Sequence, residues 1–205
     1  MTNTEAKYAL STALRKLWAD HAIWTRQYIV AFVGGGADAS EAAGRLLKNQ
    51  EHLGAAIVPY YGQAAGDALT SLLKQHILIA VDLLNAAKAG DDAEFQKQDQ
   101  KWSQNADEIA ALLSGANPNW SKRDVVDLLN VHLKLTKDEA VARLGGNWAA
   151  DVSAWDDIFT EILTVSDTLA DGIIRQFPER FAVTPTSAAG EPARRGFARI
   201  FARGR

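Results

Sequence analysis

Residues 122–146, KRDVVDLLNVHLKLTKDEAVARLGG, decide the fold class. Val125, Leu128, Leu129, His132, Leu135, Thr136 and Glu139 recur at three- and four-residue steps, the period of one face of an α-helix. Ser121 stands where an N-cap hydroxyl can accept a backbone N–H, and Pro118 just upstream disfavours helix before it. Gly145-Gly146 stops the run, because glycine tolerates the left-handed conformation that closes a helix.

The same period extends outward from this stretch. Upstream, a helix is expected from about Glu5 to Val33, with the stripe Leu10, Leu14, Leu17, His21, Trp24, Tyr28 and Phe32, ended by Gly34-Gly35-Gly36. A shorter helix capped by Ser40 runs through about Glu51, followed by a turn at Pro59-Tyr60-Tyr61-Gly62. Two more long helices span about Ala64 to Ala89 and Ala93 to Leu113. Downstream, Trp148 to Gln176 carries the stripe Trp148, Val152, Trp155, Phe159, Ile162, Ser166, Leu169 and Ile173 before Phe177-Pro178. Alternating strand patterning is absent, and no repeat at a solenoid period appears. Five long helices and one short one, joined by short turns, predict an all-α antiparallel up-and-down bundle over residues 1–181, with an Arg-rich tail over 182–205.

Composition narrows the function classes. The chain has 205 residues, 47% hydrophobic and 23% charged, which suits one soluble globular domain. It has no cysteine, so disulfides, Cys-ligated zinc, iron–sulfur clusters and thiol nucleophiles are excluded. No apolar run approaches the roughly 20 residues of a membrane span, and the N-terminus lacks a signal-peptide h-region, so a cytoplasmic location is expected. Gly34-Gly35-Gly36 is not a phosphate loop, because no Gly-Lys-Ser/Thr follows it.

Charge is unevenly distributed. Residues 182–205 hold five arginines and one acid, Glu191, whereas residues 1–181 hold 17 basic and 24 acidic residues. An acidic body is a poor nucleic-acid binder. In the tail, Phe197, Ile200 and Phe201 share a helical face ringed by Arg194, Arg195, Arg199 and Arg203, so residues 193–205 suit an anionic surface or membrane.

Three of the four histidines, His21, His76 and His132, fall on the centre line of a helix's apolar stripe near its midpoint. His52 reads as a surface residue. In an antiparallel bundle midpoints share a layer, so three imidazoles are expected to converge in the core. Thr25 and Thr136 follow His21 and His132 by one turn, and Glu139 keeps the same face as His132. Asn105 faces the core and Glu108 lies at its edge. Unpaired buried polar groups cost about 1–3 kcal/mol each, so these residues should satisfy one another, a ligand or a metal. Three imidazoles with a carboxylate or water suit one divalent ion such as Zn, Fe, Mn or Cu, with His21, His76, His132 and Glu139 as ligands. Thr25, Asn105, Glu108 and Thr136 would then support the ion or a small-molecule ligand; haem is a further option. The paired Glu-x-x-His pattern of di-iron bundles is absent, with Leu73 and Leu129 at the positions it needs. The rival reading is a structural or interaction protein whose core histidines specify register and whose tail contacts the partner.

Several stretches together resemble a family of small all-helical bacterial proteins without a settled activity. They are Leu17-Trp18 with His21 and Trp24-Thr25-Arg26, Tyr60-Tyr61-Gly62, His76, and Trp102 with Asn105-Ala106-Asp107-Glu108-Ile109-Ala110. Asn117-Pro118 with Trp120, His132-Leu133 with Thr136 and Glu139, and Gln176-Phe177-Pro178 complete the set, so the resemblance covers about residues 10–181. It implies a helical bundle. Relatives sometimes carry kinase or glycosyltransferase names, yet this chain lacks the phosphate loop and strand–helix alternation such activities need.

Overall fold

The computed structural model describes residues 3–182. It is all-α, with helices α1 (Asn3–Gly34), α2 (Ala39–Tyr61), α3 (Gln63–Ala89), α4 (Asp92–Ala116), α5 (Lys122–Leu144) and α6 (Trp148–Gln176), then a 3-10 turn, Pro178–Phe181. Among the described residues there is no strand, and no helix is long and apolar enough to cross a membrane. Apart from Ala182, the basic tail lies outside the described residues.

The helix count is six long helices, not five. The expected stop after Glu51 does not occur, and Pro59 lies inside α2. Pro59 sits in the last turn, where a missing N–H removes only one bond. Leu46, Leu53 and Ile57 are buried along the helix and hold it down past that point. Gly62, at φ +83°, ends α2 and donates its N–H to Val58 O. Gly54 and Gly66 let α2 and α3 cross closely, since a Cβ on Gly66 would stand 2.8 Å from the Gly54 carbonyl.

The starts of α4, α5 and α6 are held by side chains. Asp91, Ser121 and Asn147 accept the N–H of Glu94, Asp124 and Ala150 at 3.0, 3.1 and 3.2 Å, contacts worth about 1 kcal/mol each.

Consecutive helices pack pairwise, and α6 returns to α1, so the six helices close a ring. Helix α5 also touches α1 and α3 across the interior.

The ring repeats one helical hairpin three times (α1–α2, α3–α4 and α5–α6), and in the sequence only the spacing of the histidines and glycines shows it. Gly35, Gly90 and Gly146 end α1, α3 and α5 at φ +70°, +69° and +69°. The residue after each donates its N–H five residues back: Gly36 to Ala31 (2.8 Å), Asp91 to Ala86 (3.0 Å) and Asn147 to Ala142 (2.9 Å). These are the same Schellman closure repeated three times. Each glycine also lies 14 residues after one of His21, His76 and His132, so the period is 55 and then 56 residues. Core positions change residue type between repeats, as in Trp18, Leu73 and Leu129, so the register persists while the identity does not.

The first half of α6 turns a different face inward from the expected one, whereas Ile162, Ser166 and Ile173 are buried as expected. Trp148 and Val152 are exposed, and the buried face runs through Asp151, Ala154, Ile158, Ile162, Val165 and Ile173. Asp151 fixes that phase, because Arg26 and Arg143 both pair with it.

Candidate functional site

His21, His76 and His132 come from α1, α3 and α5, the first helix of each hairpin, and all three are buried. The His132 ring lies between the other two, its centroid 5.6 Å from that of His21 and 6.1 Å from that of His76. His52, by contrast, is exposed.

Each histidine meets a polar side chain on the second helix of its own hairpin, always 29 residues later. His21 Nδ1 lies 3.3 Å from Gln50 Nε2, His76 Nδ1 lies 2.9 Å from Asn105 Oδ1, and His132 Nδ1 lies 3.0 Å from Glu161 Oε2. The surrounding bonds set the tautomers. Asn105 Nδ2 donates to Leu72 O at 3.0 Å, leaving Oδ1 to accept from His76 Nδ1–H. Glu161 accepts from His132 Nδ1–H. Gln50 Nε2 donates to Leu46 O at 2.8 Å and shares its other hydrogen between Asn49 Oδ1 at 3.2 Å and His21 Nδ1 at 3.3 Å, so the amide turns N–H rather than oxygen to His21 Nδ1. His76 and His132 therefore present bare Nε2 lone pairs, and the His21 proton sits on Nε2. Among the described residues no hydrogen bond reaches any of the three Nε2 atoms.

Burial keeps His21 and His76 neutral. It lowers the His21 pKa well below its ordinary value, with His132 and His76 adding to the effect. It lowers His76 to about 3.

Two small cavities flank the layer. The larger, about 30 Å³, is lined by all three histidines with Thr25, Thr136 and Lys137, and its other walls are largely apolar. The smaller, about 10 Å³, lies on the other side, against Trp18, Leu73 and Leu129. The Thr25 and Thr136 hydroxyls donate to His21 O and His132 O at 2.8 and 2.9 Å. Three buried polar atoms around the layer have no partner: Gln50 Oε1 on α2, Trp102 Nε1 on α4 and Glu161 Oε1 on α6. The Trp102 ring sits 5.0 Å from that of His76.

The remaining expected site residues have partners of their own. Glu139 is buried on the His132 face, but it pairs with Arg26 at 2.6 Å and does not line either cavity. Arg26 also meets Asp151 at 2.9 Å, and Arg143 meets the other Asp151 oxygen at 2.9 Å. The two guanidiniums stack over Trp155 and Trp148 at 5.2 and 4.9 Å. Burial pushes Glu139 up to about 7 despite Arg26. Asp151 is raised by burial too, but its hydrogen bonds to Arg26 and Arg143 outweigh this and hold it low. Glu108 is exposed and accepts only from Gln104 at 3.3 Å, because the core face of α4 passes through Trp102, Asn105 and Ile109. Asn105 orients His76 rather than facing a cavity.

Gln50 and Glu161 carry roles that sequence reasoning missed. The usable signal was the histidine spacing of 55 and 56, which maps Gln50 onto Asn105 and then Glu161. Among the described residues no three His, Asp or Glu side chains stand at the spacing of a bound metal ion. Compared with known protein families, curated proteins and solved structures, the chain matches none of them.

Proposed function

We propose that the bundle binds one divalent metal ion, Zn, Fe, Mn or Cu, at the Nε2 atoms of His21, His76 and His132, with water completing the shell. The observation that carries this reading is the layer itself. Three imidazoles from three helices crowd around His132, each engaged at Nδ1 by the following helix, and each left with an Nε2 that no protein group meets among the described residues. Partners at the far ring nitrogen are the usual way a protein aims an imidazole ligand.

Space favours an ion over an organic ligand. A cavity of about 30 Å³ holds roughly two waters, whereas small-molecule pockets run to about 300 Å³ or more. Haem does not fit that volume. Two adjustments accompany loading. A tetrahedral ion with Zn–N near 2.0 Å brings ring centroids to about 5 Å, so spacings of 5.6 and 6.1 Å must contract. His21 must also shift its proton from Nε2 to Nδ1, which needs the Gln50 amide to turn so that its unpartnered Oε1 accepts from Nδ1–H. Any catalysis would be metal-assisted. Connections of one to five residues support antiparallel neighbours, and a cytoplasmic location remains the matching proposal.

The second reading is a non-enzymatic structural or interaction protein whose histidines are a polar core layer and whose tail meets an anionic surface. The wide donor spacing favours it. Elemental analysis of the full chain purified without a His tag separates the two. About one equivalent of metal, lost in His132→Gln while circular dichroism stays helical, supports the metal centre. Metal-free protein whose unfolding temperature ignores added zinc, manganese and iron(II) refutes it.

A further inference from the structure

An open cleft of about 550 Å³ lies between the second half of α1 and the start of α2, within the roughly 300–1,000 Å³ range of small-molecule sites. It shares no lining residue with the two cavities at the histidine layer, so what it binds is independent of any ion there. Part of its wall is apolar. Ile23 is 46% exposed, Trp24 beside it is half-buried, and Ala42 lines the cleft from α2.

The polar part of the wall is acidic and uncommitted. Gln27, Asp38 and Glu41 line the cleft, and none of the three side chains has a hydrogen-bond or ion-pair partner among the described residues. The path of the chain accounts for Asp38. The α1–α2 connection has four residues, against two for α3–α4 and three for α5–α6. Asp91 and Asn147 commit their side chains to the caps of α4 and α6, whereas Asp38, at the start of α2, makes no such bond. Gly36 gives its carboxylate room, since a Cβ there would stand 2.6 Å from Asp38 Oδ1. Arg45 is the one cationic side chain on the cleft among the described residues, and its charge is already met. Its Nη2 donates to Asp20 at 3.2 Å, and the guanidinium lies 5.3 Å over the Trp24 ring. Two carboxylates beside an apolar wall are therefore left without a counter-charge, and the excess of acids in the body adds to the attraction for a cation.

We propose that this cleft binds an amphiphilic organic cation, a primary amine whose ammonium meets Asp38 and Glu41 while its apolar body lies on Ile23 and Trp24. An ammonium carries three donors and no acceptor, which suits two carboxylates and the Gln27 amide oxygen. The Arg45 guanidinium on Trp24 shows that the indole already takes a cation against its ring. An anionic ligand of the same shape meets like charge at Asp38 and Glu41 and is rejected.

Calorimetric titration of the full chain with phenethylamine, ethylamine and hydrocinnamate tests this. The first carries both features, the second only the charge, and the third the ring with the opposite charge. Phenethylamine should bind about tenfold or more tighter than either of the others. Asp38→Asn combined with Glu41→Gln should weaken it about tenfold, and Glu41→Gln alone, at an exposed position, about threefold. Ile23→Ser should weaken phenethylamine and leave ethylamine unchanged. In indole N–H spectra, phenethylamine should move the signal that Trp24→Phe removes. Wild type that does not take phenethylamine, or that takes ethylamine or hydrocinnamate equally well, overturns the proposal. So does unchanged affinity in the folded double variant or in Glu41→Gln, or a Trp24 signal that stays still.

Discussion

Acidifying the metal-free protein below pH 6.5 should destabilise it by an amount set by three buried groups. Burial holds His21 and His76 neutral in the folded chain, His76 down to about 3, whereas an unfolded histidine titrates near 6.5. Below that pH the unfolded state binds one more proton per histidine, so each pH unit removes about 1.4 kcal/mol of stability per group. Glu139 acts in the opposite sense. Its folded pKa of about 7 lies above the ordinary 4.5, so its contribution is fully present below 4.5 and is lost as pH rises through 7. Between pH 6.5 and 4.5 the unfolded chain holds about two more protons on the histidines than the folded chain, and the folded chain about one more on Glu139 than the unfolded. The net loss is about 1.4 kcal/mol per pH unit, or about 3 kcal/mol across the window, against a usual total of about 5–15 kcal/mol. Urea unfolding followed by the fluorescence of the six tryptophans, at pH 7.0, 5.5 and 4.5 with chelator present, measures this. His76→Gln should flatten the slope toward zero, and Glu139→Gln should steepen it toward about 2.7 kcal/mol per unit. Equal slopes in wild type and His76→Gln would refute the idea that the layer is kept neutral by the fold.

Three further outcomes are expected. Arg26→Met strips the Glu139 and Asp151 carboxylates of a shared cation and should cost about 3–5 kcal/mol in urea unfolding; adding Glu139→Leu should recover part of it, and no recovery would count against the pairing. Gly35→Ala and Gly90→Ala meet open space but keep φ near +70°, so each should lose about 1 kcal/mol from backbone strain alone; a loss at one and not the other would break the equivalence of the hairpins. Gln50→Glu gives His21 the carboxylate partner that His132 has in Glu161 and should tighten zinc by about tenfold or more, read by competition with a chromophoric chelator; weaker binding would argue against His21 as a ligand.

Local chemistry made much of the fold readable. Helix α5 and helix α6 are bounded by Ser121 and Asn147 caps and by a glycine or proline stop, signals that act within one turn. Helix α2 was misread because Pro59-Tyr60-Tyr61-Gly62 has turn composition, and burial of Leu53 and Ile57 overrides it. The histidines were legible because a polar residue on an apolar stripe stands out. Their partners were not. Glu161 sits beside Ile162 on α6, and weighting the aromatics Trp148, Trp155 and Phe159 rotated the inferred face away from it. Asp151 stands in the first turn of α6, where an acid commonly serves the helix dipole from an exposed position, and only the approach of Arg26 from a helix 125 residues away gives it another role.

The repeat also explains why the candidate site is not three identical subsites. A single hairpin used three times would put the same residue beside each histidine. Here the position holds an amide donor at Gln50, an amide acceptor at Asn105 and a carboxylate at Glu161. A layer meant only to fill space would need neither the one negative charge nor the reversed amide, since three equivalent acceptors satisfy three imidazoles equally well. The departure from symmetry makes His132, the ring in contact with both others, the strongest donor of the three, and makes His21 the one whose proton must move from Nε2 to Nδ1 before a cation can be held. Loading should therefore proceed from His132 and His76 toward His21, which waits on the turn of the Gln50 amide. Glu161→Gln should weaken zinc by about tenfold or more, and unchanged zinc affinity would show that the carboxylate does not make His132 the strongest donor.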